Sequence, residues 1–263
     1  MKQYLAGLKS YQLDLGIECT AFTDPRLECT VQGIKREHSE PERCDRTPLT
    51  RPYLLRLLSL MPPPNYNNTM LQAAFTLAFA GFLRVCEFTY KEADRELGAS
   101  FSKWFLTKQH IAMSRDRTYL ELMLPASKTD LFRKGITLTI AASHDAGCPV
   151  AAMRRLQEID THRPPHAPLF CVDRYKQHAF TREYVVRSLQ QISITAALGH
   201  GSWNGHSFRR GAATWASEVG IPETKIQILG RWRSDAYKAY IEYSPAERIS
   251  LSKRFQQRPH QPT

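Results

Sequence analysis

No apolar stretch among the 263 residues is long enough to cross a bilayer, and the N-terminal MKQYLAGLKSYQLDLG is amphipathic with a helical period, unlike a signal peptide. A protein of this kind is expected inside the cell, with no membrane partner. The sequence has no GxxxxGKS/T phosphate loop, and the glycines of LGHGSWNG lack both the lysine and the preceding strand that such a loop needs. Nine histidines and six cysteines form no CxxC or HExxH pattern. His200 with His206, or Cys148 with Cys171, are the pairs on which a metal site would have to be built, and neither a metal nor a cofactor is expected. The unpatterned cysteines read as reduced thiols, with Cys86 in the core. There is no internal repeat.

Acidic residues are also in short supply. Against 25 Asp and Glu stand 36 Lys and Arg, a formal net charge of +11, which favours association with a phosphate backbone. Basic side chains cluster at Lys35, Arg36, Arg43, Arg46, Arg51 and Arg56, at Arg154 and Arg155, at Arg182 and Arg187, and in the tail, although each taken singly reads as a solvated surface charge. A hydrophobic fraction of 42% supports a folded core and one or two domains.

Residues 1 to about 36 suggest two helices, the second over Pro25 to Lys35. Glu37 to Thr47 has no apolar period and reads as a linker. Thr50 is placed to cap a helix that PPPNYNN breaks, and Leu71 to Leu83 is an apolar run of buried-helix length that leads into Arg84. Tyr119 to Leu124 and Gly135 to Ile140 have strand patterning around ASKTDLFRK, which reads as a hairpin with Lys128 near its tip and Lys134 as a rival. Cys148 to Asp160 and Thr181 to Leu198 are expected helices, with a short strand over Leu169 to Val172 between them. The fold class is mainly α with a small antiparallel β-sheet.

The most informative segment is GHSFRRGAATWASEVGIPETKIQILGRWRSDAYKAYI, Gly205 to Ile241. His206 and Arg209 stand three apart at the head of a helix, so both project from one face while Arg210 begins the opposite side. Gly220 suits the end of that helix, Pro222 the first turn of the next, which Gly230 closes. Trp232 opens a tight loop, Ser234 or Asp235 can cap a short third helix, and Tyr240 falls on that helix. The stripe Tyr237, Tyr240, Tyr243 also has a plain packing explanation. Arg84 and Glu87, one turn apart, likewise read either as an i,i+3 ion pair or as part of a site, and an arginine directly after a largely apolar run is costly to bury without a partner or a task.

This segment resembles the C-terminal signature of the tyrosine recombinases, the phage-integrase family, in which a His-x-x-Arg pair is followed by His or Trp and then a nucleophilic tyrosine. The wording GRWRSDAYKAYI, with Trp in the His position, is similar to the branch found in eukaryotic mobile elements such as Cryptons and DIRS-type elements. The resemblance implies a tyrosine recombinase/integrase catalytic fold over 48–263, preceded by a truncated helical core-binding segment and linker over 1–47. It implies Tyr240 as nucleophile, Arg84 and Arg209 as phosphate-gripping forks, Lys128 as general acid, His206 as assistant to the tyrosine, Trp232 as a supporting donor and wall, and Glu87 as a brace. The partner implied is double-stranded DNA, cut and rejoined through a 3′-phosphotyrosine by a homotetramer, in DNA recombination or integration of a transposon in the nucleus. Pro245 to Gln256 would then be a final helix, exchanged between subunits or packed in cis. A domesticated or truncated DNA-binding protein without full recombinase activity is the alternative; a type IB topoisomerase shares the chemistry but matches the Trp-to-Tyr wording less well.

Overall fold

The computed structural model describes residues 2–37, 47–125, 134–195, 203–241, 248, 249 and 252. The chain divides into two compact units, Met1–Asp45 and Arg46–Thr263. In the first, α1 (Lys2–Asp14) is followed by a 3₁₀ turn (Thr20–Thr23) and by α2 (Pro25–Glu37), where Pro25 sits in the first turn because its missing N–H would have no helical partner there. Val31 is the buried position of α2.

The second unit is built around α4 (Tyr66–Ala80), which follows α3 (Arg51–Ser59). Of the residues of α4, Met70, Leu71 and the run from Ala73 to Phe79 are buried, so the helix is enclosed on nearly every side. It begins earlier than the apolar run suggests, because the Asn65 side chain accepts from the Asn68 N–H at 2.9 Å and so satisfies one of the free amides of the first turn. It also ends earlier. Gly81 closes the helix and Phe82 takes φ 49°, a left-handed value uncommon for a side chain of this size. The break separates α4 from the short α5 (Val85–Phe88) and resets the buried face: Val85, Glu87 and Phe88 point inward. Cys86, expected in the core, is therefore exposed.

A 3₁₀ run over Glu92–Lys103, kinked at Gly98, leads to a three-stranded antiparallel sheet of β1 (Ile111–Met113), β2 (Tyr119–Leu124) and β3 (Ile136–Ala141). β1 has only three residues, too few to show a period in the sequence. The alternation in β2 is clean: Leu120, Leu122 and Leu124 are buried, opposite Ile140, Leu138 and Ile136. Next come α6 (Pro149–Ile159), the two-residue strands β4 (Cys171–Val172) and β5 (His178–Ala179), and α7 (Arg182–Thr195). The Thr181 hydroxyl accepts from the Tyr184 N–H at 3.1 Å, as a capping residue should.

The chain closes with α8 (Ser207–Glu218), α9 (Glu223–Leu229) and a 3₁₀ turn over Asp235–Tyr240. α4 packs against α6 and α8, and α8 against the final turn. At Gly211 α8 also meets the segment before α3: a Cβ there would lie 1.8 Å from the Leu49 carbonyl oxygen, so any side chain would force the two apart. Pro222 takes the N-cap position of α9 and not its first turn. Most of the expected helix over Pro245 to Gln256 lies outside the described residues, as do Lys128, His200 and Tyr243.

Candidate active site

The break after α4 creates the floor of the site. Because the chain turns sharply at Gly81 and Phe82, their carbonyls are available to side chains instead of to the next helical turn. Arg231 donates to the Gly81 oxygen at 2.8 Å and to the Phe82 oxygen at 3.3 Å, and Arg209 donates to the Phe82 and Gly230 oxygens. Two arginines distant in sequence thus meet at one turn.

Arg84 caps α5, and Glu87 answers it twice. One carboxylate oxygen accepts from the Arg84 guanidinium at 2.8 Å, the other from the Arg84 backbone N–H at 2.9 Å. The second oxygen also accepts from Arg231 at 2.9 Å. The Glu87 side chain is 2% exposed and that of Arg84 19% exposed, so the acid is sealed in while its partner is in part accessible. The expected i,i+3 ion pair is thus present and lies beside Arg231.

Arg209 is 0% exposed, and its guanidinium stacks on the Trp232 ring at 4.1 Å. Burial first, then the positive charges of Arg84 and Arg231, push it down to about 9, while Glu87 and Tyr240 act in the opposite direction. Arg231 is lowered as well, again chiefly by burial, with Glu87 opposing and Arg84 reinforcing the shift. Two guanidiniums share the Glu87 carboxylate here with a third, that of Arg209, close by, and the buried Nε atoms of Arg209 and Arg231 have no hydrogen-bond partner among the described residues. Such an excess of buried positive charge is costly on its own and is relieved by an anion.

Trp232 connects this cluster to the tyrosine. Its ring lies 5.4 Å from that of Tyr240 and 6.3 Å edge-on from that of Phe82. Gly230 permits this placement, since a Cβ there would come within 1.5 Å of the indole. His206 occupies the N-cap of α8 with its ring 6.3 Å from Tyr240. Tyr240 ends the final turn, half-buried, and its carbonyl accepts from the Thr214 hydroxyl of α8 at 3.1 Å. Tyr237 in contrast is buried and donates to the Glu223 carboxylate at 3.0 Å, a packing role. Arg84, Glu87, Arg209, Trp232, His206 and Tyr240 are brought into one neighbourhood. Lys128 lies outside the described residues, and Lys134 is exposed at the foot of β3.

Two arginines escaped sequence reasoning. Arg210, assigned to the opposite side of α8, has its guanidinium 5.8 Å from the centre of the Tyr240 ring, because the final turn wraps over the start of the helix. Arg231 was given no role between Gly230 and Trp232. Its only sequence signal is a charge placed between Gly230 and Trp232, where no helix or strand explains it.

Cys148 and Cys171 are engaged apart from each other. The Cys148 sulfur accepts from the Ala151 N–H at the start of α6, and the Cys171 sulfur lies 3.1 Å from the Tyr66 hydroxyl. Among the described residues no His, Cys, Asp and Glu group is placed to hold a metal, and no helix is long and apolar enough to cross a membrane.

No protein-family model and no curated protein sequence matches the chain. Solved structures do. XerA recombinase is similar with 14% identity and a TM-score of 0.56 over 84% of this chain and 68% of its own. XerH site-specific recombinase, in a pre-cleavage complex with its difH substrate, has 12% identity and a TM-score of 0.53 over 83% of this chain. The Tn1549 transposon integrase, in complex with transposon right end DNA, has 11% identity and a TM-score of 0.51 over 83% of this chain and 67% of its own. The chain spans 57% of the length of XerH. At these identities the likeness is one of fold: residues arranged around α4 and the three-stranded sheet adopt the catalytic-domain fold of the tyrosine recombinases.

Proposed function

We propose that the chain binds double-stranded DNA and breaks and rejoins it as a tyrosine recombinase. The observation that carries this reading is the meeting of three buried or half-buried guanidiniums, a single shared carboxylate and the Tyr240 phenol at one point of the fold. A scissile phosphate supplies the missing negative charge, and its nonbridging oxygens are the natural acceptors for planar arginine forks. The Tyr240 oxygen attacks phosphorus while its proton passes to the His206 side of the site. The bond to the 5′-oxygen breaks, that oxygen takes up a proton, and the product is a 3′-phosphotyrosyl protein with a free 5′-hydroxyl. The reverse attack by a second strand's 5′-hydroxyl rejoins DNA without ATP. Lys128 is the proposed general acid, on the strength of its place in the expected hairpin.

Several finer assignments belong to the same proposal. Trp232 in the position of a second histidine supports descent from a Crypton- or DIRS-type element, and with it a nuclear location. The two-helix unit Met1–Asp45 is the proposed core-binding segment, and a tetramer on DNA the proposed assembly. One observation favours a second reading, a DNA-binding protein without strand transfer: Arg209 has no exposed surface and is committed to two backbone carbonyls, so it reaches a phosphate only if Trp232 or Tyr240 moves. Nicked suicide duplexes separate the two. Recombination predicts a covalent protein–DNA species that survives denaturant; a mobility shift alone, with no such species from any duplex of a randomised pool, selects the second reading.

A further inference from the structure

We infer that Arg231 is a positioning residue that sets the Arg84 fork through Glu87 and ties the Trp232–Tyr240 arm to the turn after α4; the inference rests on the recombinase reading of the site. Three observations converge on it. The guanidinium of Arg231 spans three acceptors, the carbonyls of Gly81 and Phe82 and the outer oxygen of Glu87. That same Glu87 oxygen receives the Arg84 backbone N–H, and its twin receives the Arg84 guanidinium, so the carboxylate is a bridge with an arginine on each side. Finally, Arg231 holds a left-handed backbone at φ 58°, a conformation that asparagine or glycine adopts far more readily. A non-glycine residue persists there when its side chain contacts compensate for the strain.

The consequence is mechanical. Arg231 immediately precedes Trp232, whose ring stacks on Arg209 and touches Tyr240. Fastening position 231 to the Gly81–Phe82 turn fixes where the indole enters the site. Fastening it to Glu87 holds the carboxylate still, and with it the Arg84 guanidinium that the carboxylate binds. The side chain itself is 10% exposed, and both of its terminal nitrogens are engaged by protein acceptors, which suits a latch and not a phosphate contact.

Lysine is the discriminating replacement. Arg231→Lys keeps the charge but offers a single ammonium that cannot serve two carbonyls and a carboxylate in a fixed fork. Inorganic phosphate affinity by calorimetry and covalent adduct formation on nicked duplex DNA are measured for wild type, Arg231→Lys and Arg231→Gly, each checked by circular dichroism. A latch predicts that phosphate affinity falls about tenfold in the lysine variant, and that adduct formation slows about a hundredfold, the cost of a displaced reacting group. Arg231→Gly, which relieves the left-handed backbone, keeps its fold and shows both losses, and free guanidinium in solution restores part of each. A lysine variant equal to wild type in both measurements overturns the inference, since charge alone then suffices; so does a folded glycine variant with undiminished phosphate affinity. If wild type forms no adduct while the phosphate losses appear, the recombinase reading fails and the latch stands.

Discussion

Replacing Glu87 by Gln preserves the outline of a buried side chain and removes the charge that Arg84 and Arg231 share. In the native site the carboxylate accepts three hydrogen bonds, two from guanidiniums at 2.8 and 2.9 Å and one from the Arg84 amide at 2.9 Å. An amide has one oxygen to offer, and its NH₂ group is directed at a donor. Breaking one side of a buried ion pair typically costs about 3–5 kcal/mol, because the partner charge is left uncompensated. A domain of this size loses roughly 2–4 °C of melting temperature per kcal/mol, so the expected drop is about 6–20 °C. Thermal denaturation followed by circular dichroism reads it directly. The control is Asp145→Asn, which breaks the half-exposed pair with Arg51 at 2.7 Å, a contact worth about 1 kcal/mol or less. If Glu87→Gln melts within a degree or two of that control, Glu87 is not the electrostatic keystone of the site and the charge argument fails.

The packing and the titration of the same region give two further expected outcomes. Gly211→Ala places a Cβ 1.8 Å from the Leu49 carbonyl oxygen, so α8 must shift and the unit should lose about 3 kcal/mol or more by urea denaturation; an unchanged midpoint would show that the contact yields freely. Arg209 is held near 9 when folded, well below the ordinary arginine range of an unfolded chain, so the unfolded state binds its proton more tightly and the penalty of burying the charge is complete well below pH 9. Stability relative to Arg209→Met should therefore rise by about 1 kcal/mol between about pH 8 and about pH 10, and a difference that stays flat contradicts the assignment.

Much of this organisation is legible in the residues themselves. The enclosed helix α4 shows as a largely apolar run, β2 as strand patterning, and the succession α8, α9, final turn as glycine and proline punctuation at Gly220, Pro222 and Gly230. His206, Arg209, Trp232 and Tyr240, singled out by the resemblance, lie in one neighbourhood of the fold. The rest depends on tertiary geometry. Nothing local marks Phe82 as left-handed, since the turn is held by arginines far downstream; with that turn unseen, the break in α4, the exposure of Cys86 and the role of Arg231 were unseen too. Thr50 illustrates the opposite error: the residue takes the N-cap position of α3, yet its hydroxyl makes no capping bond. The complete burial of Arg209 is equally invisible, because it is created by Trp232 folding back over the guanidinium.

The central claim is that the phenol at position 240 becomes bonded to a DNA phosphorus. Wild-type protein is incubated with a pool of nicked duplexes, the denaturant-resistant species is digested, and the nucleotide-bearing peptide is sequenced by mass spectrometry. The account predicts a phosphotyrosine link at Tyr240 and its disappearance in Tyr240→Phe with DNA binding retained. A link at Tyr237 or any other residue, or an adduct that persists in Tyr240→Phe, contradicts it.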